Sequence, residues 1–230
     1  MNIPISEIFY SIQGEGINQG KPAVFLRTYY CNLSCQWCDS KYTWENQIRA
    51  QEGIDYISMN LEDIIENIRK YPCKHLVITG GEPLLHQKNL LNLVRKLKKM
   101  GYYIEVESNG TIKPLKELLS LVDCFNVSPK LSNSKLEEKV RIKEDVLKVF
   151  SLEDKVYFKF VVCERKDLEE VESLVSKFNI SKDKVILMPE GVDSENLNRR
   201  AEWIIEECKK RGYRFSHRLQ ILIYGNRRGY

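Results

Sequence analysis

Short apolar segments alternate with helix-like segments along most of the chain, and this alternation restricts the fold more than any other feature. The segment 75–79 (HLVIT) is an apolar run that ends at two glycines, as buried strands commonly do. In 61–68, leucine and isoleucine recur at the i, i+3, i+4, i+7 spacing of an amphipathic helix. The same patterns predict strands over 23–28, 75–79, 102–108, 124–128, 156–163, 185–188 and 218–224, and helices over 61–68, 90–97, 114–121, 139–150, 168–178 and 197–208.

Short strands that alternate with helices predict a parallel sheet with the helices packed outside it. About six strand–helix units are too few for a closed eight-stranded barrel. We therefore predict an α/β fold, a partial, open (β/α)6-type barrel of mostly parallel strands. The 230 residues contain no repeat and no linker rich in proline, glycine or serine, which favours a single domain over 1–230. Functional residues of such folds lie at the carboxyl ends of the strands.

Composition argues against several classes of protein. A formal net charge of +4, with basic residues scattered among acidic ones, gives no support for a nucleic-acid or membrane partner. The apolar runs are too short and too often broken by charge to cross a membrane. The N-terminus lacks the basic flank and apolar stretch of a signal peptide. We therefore expect a cytoplasmic protein.

Three of the seven cysteines, Cys31, Cys35 and Cys38, fall within eight residues directly after the first predicted strand. A zinc site usually needs a fourth ligand close by, and none of the three histidines lies near the cluster in sequence. Three soft thiolates without an obvious fourth fit a [4Fe–4S] cluster with one open iron. A zinc knuckle or an unligated loop is the alternative. The other four cysteines are interpreted as small buried apolar residues.

Glycines and polar residues follow the other predicted strands as well. The sequence GGEP at 80–83 follows the strand 75–79, and its two glycines let the backbone approach a ligand closely. The sequences ESNGT at 107–111, SPK at 128–130 and PEG at 189–191 come at the next strand ends. Each of these segments alone is also compatible with an ordinary turn.

The C-x3-C-x2-C spacing resembles the signature of the radical S-adenosylmethionine (SAM) superfamily, in which an aromatic residue usually precedes the third cysteine, as Trp37 does. The GGEP sequence resembles the superfamily motif that contacts the SAM amino group. The resemblance implies that Cys31, Cys35 and Cys38 hold a [4Fe–4S] cluster whose open iron binds SAM. The SAM-binding residues it implies are Trp37, Cys38, Asp39, Gly80, Gly81, Glu82, Glu107, Asn109, Ser128, Pro129, Lys130, Met188 and Glu190.

The two ends of the chain narrow the resemblance to one family. The sequences SIQGEG at 11–16, CDS at 38–40 and GNRRG at 225–229, with Arg27 between the first two, resemble the 7-carboxy-7-deazaguanine synthase family. The resemblance covers essentially the whole chain. It implies conversion of 6-carboxy-5,6,7,8-tetrahydropterin to 7-carboxy-7-deazaguanine, in the 7-deazapurine route to queuosine. Hydrogen is abstracted at C6, the ring contracts and ammonia is lost, while SAM is regenerated. The resemblance also implies Mg²⁺, a homodimer and an electron donor such as flavodoxin or ferredoxin.

The residues that the resemblance assigns to the substrate and to Mg²⁺ have suitable chemistry. Gln13 offers an acceptor and two donors, and Glu15 accepts N–H bonds. Arg27 can hold a carboxylate with a bidentate fork, and Ser40 offers Mg²⁺ the hard oxygen it prefers. The implied substrate-binding residues are Ile12, Gln13, Gly14, Glu15, Arg27, Thr79 and Gln220.

Each of these residues also has a structural interpretation. Gln13 and Glu15 are common turn residues. Arg27 could form a salt bridge, and Ser40 could cap the turn that follows it.

The chain departs from the family near its C-terminus. The family often has a histidine in the final strand, where this chain has Gln220, with His217 three residues earlier. Either Gln220 replaces the histidine as an amide donor, or His217 serves. In some members the terminal carboxylate contacts the pterin, and we do not assign that contact to this chain.

Two other functions stay open at this stage. One is another radical SAM enzyme, such as an activase that installs a glycyl radical on a partner protein. Such an activase would give no reason for Gln13, Glu15 and Arg27 together. The other is a non-enzymatic iron–sulfur or zinc module that assists RNA binding, which the weak net charge does not favour.

Overall fold

One open sheet forms the centre of the computed structural model, which describes residues 2–230. Its strands pair in the order β3-β1-β2-β4-β5-β6-β7-β8-β9. From β2 to β9 all neighbours are parallel, whereas β1 is antiparallel to β2 and β3. The predicted open, mostly parallel α/β architecture is therefore confirmed. The strands are β1 (Ile3–Ile12), β2 (Pro22–Thr28), β3 (Ile57–Met59), β4 (His75–Gly80), β5 (Tyr103–Ser108), β6 (Cys124–Val127), β7 (Val156–Val162), β8 (Val185–Pro189) and β9 (Arg214–Phe215).

The helices connect the parallel strands and cover one face of the sheet. On α2, the predicted stripe of Leu90, Leu93, Val94 and Leu97 is buried in the main core. Sheet residues of the same core are supplied by alternate strand positions, because successive side chains point to opposite faces. The helices are α1 (Leu61–Arg69), α2 (Gln87–Lys99), α3 (Lys116–Leu121), α4 (Glu138–Arg141), α5 (Glu144–Ser151), α6 (Asp167–Lys177), α7 (Ser194–Arg211) and α8 (Leu219–Tyr224).

The alternation along β7 shows how this pleat builds a polar interior. Phe158 and Phe160 pack into the core under the helices. Lys159 and Val161 point to the other face and line a cavity. Lys159, a charged residue in the middle of an apolar strand, is therefore placed in the cavity wall.

The sequence patterns did not predict β1 or the short strand β3. In β1 the apolar residues Ile3, Ile5 and Phe9 are buried, while the residues between them are partly exposed. A register shift between Ile5 and Glu7 interrupts the alternation, so Ile3, Ile5 and Ile8 pack with the main core and Phe9 lies on the other face with Phe25. Its C-terminal end leads directly into the segment that resembles the family motif.

The helix predicted over 139–150 is broken in two. Ile142 and Lys143 have extended backbone between α4 and α5. Arg141 is buried, and its guanidinium donates to the carbonyl oxygens of Lys130 and Leu136. Ile142 itself packs into the core. These long-range contacts override a periodicity that continues across the break.

The strand predicted over 218–224 is wrong, because these residues form helix α8 after a two-residue last strand, β9. A short apolar run such as LQILIY has the same pattern in a strand or a buried helix turn. In the structure only Ile221 is buried, and Ile223 is 53% exposed.

Two further expectations concern the cysteines and the membrane. All seven cysteines are free thiols; Cys124 and Cys208 are buried as expected, but Cys73 and Cys163 are only partly so. Over residues 2–230, no helix combines the length and the apolar character that crossing a bilayer requires.

Candidate active site

A cavity opens where the parallel strands end, and most of the predicted site residues line it. The cysteine loop, the ends of β4 to β8, the β1–β2 loop and the residues around α8 form its wall. Of the residues that the sequence assigned to a cluster, to SAM, to Mg²⁺ or to substrate, only Glu82 and Pro129 are outside this wall.

The three cysteines of the loop face the cavity together. The backbone N–H of Leu33 donates to the Cys31 sulfur at 3.4 Å, and the indole N–H of Trp44 donates to the Cys38 sulfur at 3.2 Å. Hydrogen bonds of this kind tune thiolates that hold an iron–sulfur cluster. Burial raises the pKa of Cys31 to about 12, so binding a metal there must release the thiol proton.

The three thiols face the cavity without forming a compact group of ligands. Within residues 2–230, no three His, Cys, Asp or Glu side chains are gathered closely enough to hold one metal ion. In the [4Fe–4S] cluster that the resemblance implies, each thiolate would bind a different iron.

The glycines of the GGEP turn allow the turn to pack against the start of the cysteine loop. A Cβ on Gly81 would lie 2.1 Å from the carbonyl oxygen of Tyr30. A Cβ on Gly80, whose φ is +142°, would lie 2.3 Å from the carbonyl oxygen of Thr28. Any side chain at either position would push the turn away from the cysteines.

Glu82 supports the site from behind rather than lining it. Its fully buried carboxylate accepts from the backbone N–H groups of Leu84 and Asn109 and from the Ser108 hydroxyl. Burial raises the pKa of this carboxyl group, although these donors oppose the shift. Glu82 thereby joins the GGEP turn to the end of β5, where Asn109 lines the cavity beside Cys31.

Glu15 lies in a buried cluster of charges in the cavity wall. Its carboxylate accepts from Lys159, from Arg218 Nε at 3.0 Å and from the Gln220 amide at 2.7 Å. Arg218 also forms an ion pair with Asp39. Burial alone would raise the pKa of Glu15, but the charges of Lys159 and Arg218 outweigh it and hold that pKa well below 4.5.

Gln13 has a fixed orientation beside Glu15. Its amide nitrogen donates to Glu105 at 2.8 Å and to Glu107 at 3.2 Å, and its amide oxygen accepts from the Glu15 backbone N–H. The hydroxyl of Thr79 donates to Glu107 at 2.8 Å. Glu107, which the sequence assigned to SAM, is therefore bonded to two residues assigned to the substrate.

Arg27 lies at another part of the wall, above an aromatic pair. Its Nε donates to Glu7 at 2.7 Å, and its guanidinium lies 5.7 Å from the centre of the Phe9 ring. Phe9 stacks on Phe25, and both rings line the cavity. Arg27 thus forms the salt bridge that the sequence left open, and it also faces the cavity.

The structure shows where Ser40, Gln220 and His217 lie relative to the cavity. The Ser40 side chain makes no cap for the turn that follows it, and it lines the cavity. Gln220 lines the cavity as well, whereas His217 does not. Instead, His217 Nδ1 accepts the backbone N–H of Arg218 at 2.8 Å. Of these two residues, Gln220 is therefore the candidate for contact with a ligand.

Lys159 and Arg218 are the main cavity residues that sequence reasoning missed. A signal existed for Lys159, since it interrupts the apolar run VYFKFVV. None existed for Arg218, whose partners Glu15 and Asp39 lie 203 and 179 residues away along the chain.

Comparison with known proteins identifies the relatives of this chain. The family model described as the Radical SAM superfamily matches residues 25–163. The 7-carboxy-7-deazaguanine synthase of Pyrobaculum aerophilum is 36% identical over 228 residues, covering 99% of this chain and 97% of the relative. The synthase of Escherichia coli is 31% identical over 234 residues, covering 94% and 96% of the two chains.

Two solved structures share the fold. The crystal structure of QueE from Escherichia coli has a TM-score of 0.73 at 29% identity and covers 95% of each chain. The structure of Streptococcus suis SuiB bound to S-adenosylmethionine has a TM-score of 0.58 at 15% identity. It covers 85% of this chain and 53% of SuiB, and at that identity it shows the fold alone.

Proposed function

The chain belongs to the radical SAM superfamily and, within it, to the 7-carboxy-7-deazaguanine synthase family. From this membership and from the cavity, we propose that it converts 6-carboxy-5,6,7,8-tetrahydropterin to 7-carboxy-7-deazaguanine. The observation that carries the proposal is the composition of one cavity. Three cysteine thiols and groups suited to a pterin and its carboxylate line the same cavity.

Cys31, Cys35 and Cys38 would hold the [4Fe–4S] cluster, and the strand ends beside them would hold SAM. When bound, these cofactors supply a 5′-deoxyadenosyl radical that removes a hydrogen atom from C6 of the pterin. Lys130 lies 5.6 Å from the centre of the Trp37 ring and donates to Ser128, so three of the proposed SAM-binding residues support one another. Met188 and Glu190 extend this surface at the end of β8.

The substrate would be bound by residues that the structure holds in fixed positions. Arg27 uses its Nε for Glu7, which leaves its terminal nitrogens for the pterin carboxylate. Glu15 is ionised and would accept N–H groups from the pterin edge, next to the Gln13 amide. Phe9 and Phe25 provide an apolar surface for a flat ring.

Ser40 would provide one oxygen ligand to Mg²⁺, with water and substrate oxygens as the others. A cation at that place would orient the pterin and favour loss of the amine. The family resemblance further supports a cytoplasmic homodimer that receives its electron from flavodoxin or ferredoxin.

An anaerobic assay tests the proposed function. The protein is reconstituted with iron and sulfide, reduced, and supplied with SAM, Mg²⁺ and the carboxytetrahydropterin, and the products are measured by mass spectrometry. We expect carboxydeazaguanine to form without stoichiometric loss of SAM. Deoxyadenosine without that product would point to another radical SAM substrate, such as the partner protein of an activase. Neither product, with the cluster intact, would favour the non-enzymatic module.

A further inference from the structure

Arg218 contacts three separate segments of the cavity wall through one guanidinium group. Its Nε donates to Glu15 at 3.0 Å, its Nη1 donates to the carbonyl oxygen of Gly191 at 2.6 Å, and its Nη2 pairs with the Asp39 carboxylate. The side chain is only 8% exposed. The three acceptors therefore fix the plane of the guanidinium group.

The three segments differ in the ligand they would bind. Under the proposed function, on which this inference rests, Glu15 binds the pterin. Asp39 follows the last cysteine of the loop, and Gly191 follows Glu190 at the end of β8. Both of these segments are assigned to SAM. Arg218 is thus a single rigid group that joins the substrate side of the cavity to the SAM side.

The three contacts of Arg218 are not needed to anchor the C-terminal segment. The same segment is already attached to the β1–β2 loop by the Leu219 N–H to Gly14 bond and the Gly16 N–H to Ser216 bond. Glu15 also keeps a second cation, Lys159, that does not contact Asp39. What Arg218 alone adds is the connection from Glu15 to Asp39 and Gly191.

We propose that Arg218 is a positioning residue that couples the two binding sites, so that the pterin and SAM each bind more tightly when the other is present. A pterin bound to Glu15 repositions that carboxylate, and the rigid guanidinium passes the shift on to Asp39 and Gly191. SAM then meets these two segments in the positions that the pterin-bound form gives them. Because coupling between binding sites is reciprocal, SAM raises the affinity for the pterin by the same factor.

Titration calorimetry under anaerobic conditions tests this proposal without turnover. SAM is titrated into the reconstituted, oxidised enzyme with Mg²⁺ and no reductant, in the presence and absence of saturating carboxytetrahydropterin, and the pterin is titrated with and without SAM. We expect SAM to bind at least about fivefold more tightly with the pterin present, the lower end of ordinary coupling. In Arg218→Gln this ratio should fall to about one.

Two further variants separate coupling from folding. Arg218→Lys keeps the charge but not the planar fork, so it should keep the fold and lose the coupling. It decides the matter if Arg218→Gln does not fold. Arg214→Gln is the matched control, since this nearby arginine is exposed and donates to the Asp183 carbonyl outside the cavity. It should keep the wild-type ratio.

The outcomes distinguish the inference from the proposed function. Wild-type coupling that persists in both Arg218 variants, or wild-type enzyme that binds both ligands independently, would overturn the inference and leave the function standing. Coupled binding without carboxydeazaguanine in the turnover assay would keep the inference and overturn the proposed reaction. Absence of pterin binding to the wild type would overturn both.

Discussion

At the scale of single residues, the cavity depends on buried charges whose partners lie far away in the sequence. The side chains of Glu15, Lys159 and Arg218 are no more than 13% exposed. Removing one partner of such a group leaves a buried charge uncompensated, which costs more than losing a surface ion pair. Substitutions inside the cavity therefore need a readout that separates folding from binding.

Cys35→Ala should prevent assembly of the cluster. Cys35 is 6% exposed and lines the cavity with the other two thiols, and alanine cannot bind iron. The affinity of the site for the cluster should fall by more than about 10- to 100-fold, the cost of losing only a ligand's supporting partner, so iron and sulfide per chain after anaerobic reconstitution should drop. Cys73→Ala, outside the cavity, is the control. Full iron content in Cys35→Ala would contradict the assignment.

Arg27→Gln should weaken pterin binding and leave the cluster intact. A hydrogen bond to a charged group contributes about 1.5–3 kcal/mol, so KM for the pterin should rise by about 10- to 150-fold. Glu7 keeps its bond from the Tyr42 hydroxyl at 2.9 Å, so the fold should be little affected. Steady-state kinetics and iron content measure the two effects. An unchanged KM would mean that Arg27 is a structural salt bridge only.

Glu15→Gln should destabilise the protein in a manner that depends on pH. The pKa of Glu15 is held below 4.5 because Lys159 and Arg218 outweigh the effect of burial, so its ionised form stabilises the fold above that pH. Breaking this buried cluster should cost about 3–5 kcal/mol at pH 7. The difference from wild type should shrink as pH falls below 4.5 through the lowered pKa. Denaturant titrations at several pH values measure it.

Glu117→Gln is the control for Glu15→Gln. Glu117 pairs with Arg95 on the surface, where the two side chains are 50% and 43% exposed. Its stability difference from wild type should be small at every pH. Equal effects of the two substitutions would contradict the role given to the buried cluster.

At the scale of elements, the site depends on the contact between the β1–β2 loop and the segment around α8. The amide of Gln19 donates to the carbonyl oxygens of Gly14 and His217, and Gly14 also accepts the Leu219 N–H. The substrate-side residues therefore lie on two segments that hold each other. Gln13, Gly14 and Glu15 lie outside the strands, so this contact is what holds them in place.

Gly14→Ala tests this contact. A Cβ on Gly14 would lie 1.7 Å from the Gln220 side-chain oxygen and 3.0 Å from its backbone nitrogen, so the Gln220 side chain must turn away and its backbone must shift slightly. We expect the KM for the pterin to rise about tenfold or more, since small misplacements at a site are costly. Gly20→Ala in the same loop meets nothing within 4 Å and is strained only by a φ of +87°. It should lower stability by about 1 kcal/mol and leave KM unchanged.

The sequence predicted the elements whose pattern is local and missed those that depend on distant contacts. Short apolar runs were enough to predict β4 and β5, and the helical spacing of leucine and valine was enough to predict α2. The run 219–224 was misassigned because its helix is fixed by the β1–β2 loop, about 200 residues earlier in the chain. In the site, glycines and cysteines are recognisable by spacing. Arg218 is not, because its role comes only from the acceptors that the fold brings around it.

At the scale of the whole molecule, the sheet leaves a gap between β9 and the strands of the other edge, β1 and β3. The β1–β2 loop crosses to the C-terminal segment and closes the cavity on that side. A ligand that contacts Arg27 on β2, Glu15 on the β1–β2 loop and Gln220 on α8 would therefore connect one edge of the sheet to the C-terminal segment, which no strand pairing joins to it.

Pterin binding should consequently raise the thermal stability of the cluster-loaded protein. At a pterin concentration of about 100 times its Kd, linkage predicts about 2.7 kcal/mol of stabilisation. For a chain of this size that corresponds to a rise in Tm of about 5–11 °C. The measurement is thermal denaturation of the oxidised enzyme with Mg²⁺, with and without the pterin. Arg27→Gln at the same pterin concentration should show a much smaller rise. An equal rise in that variant would mean that Arg27 does not hold the pterin, because a ligand held by Arg27 cannot be indifferent to its loss.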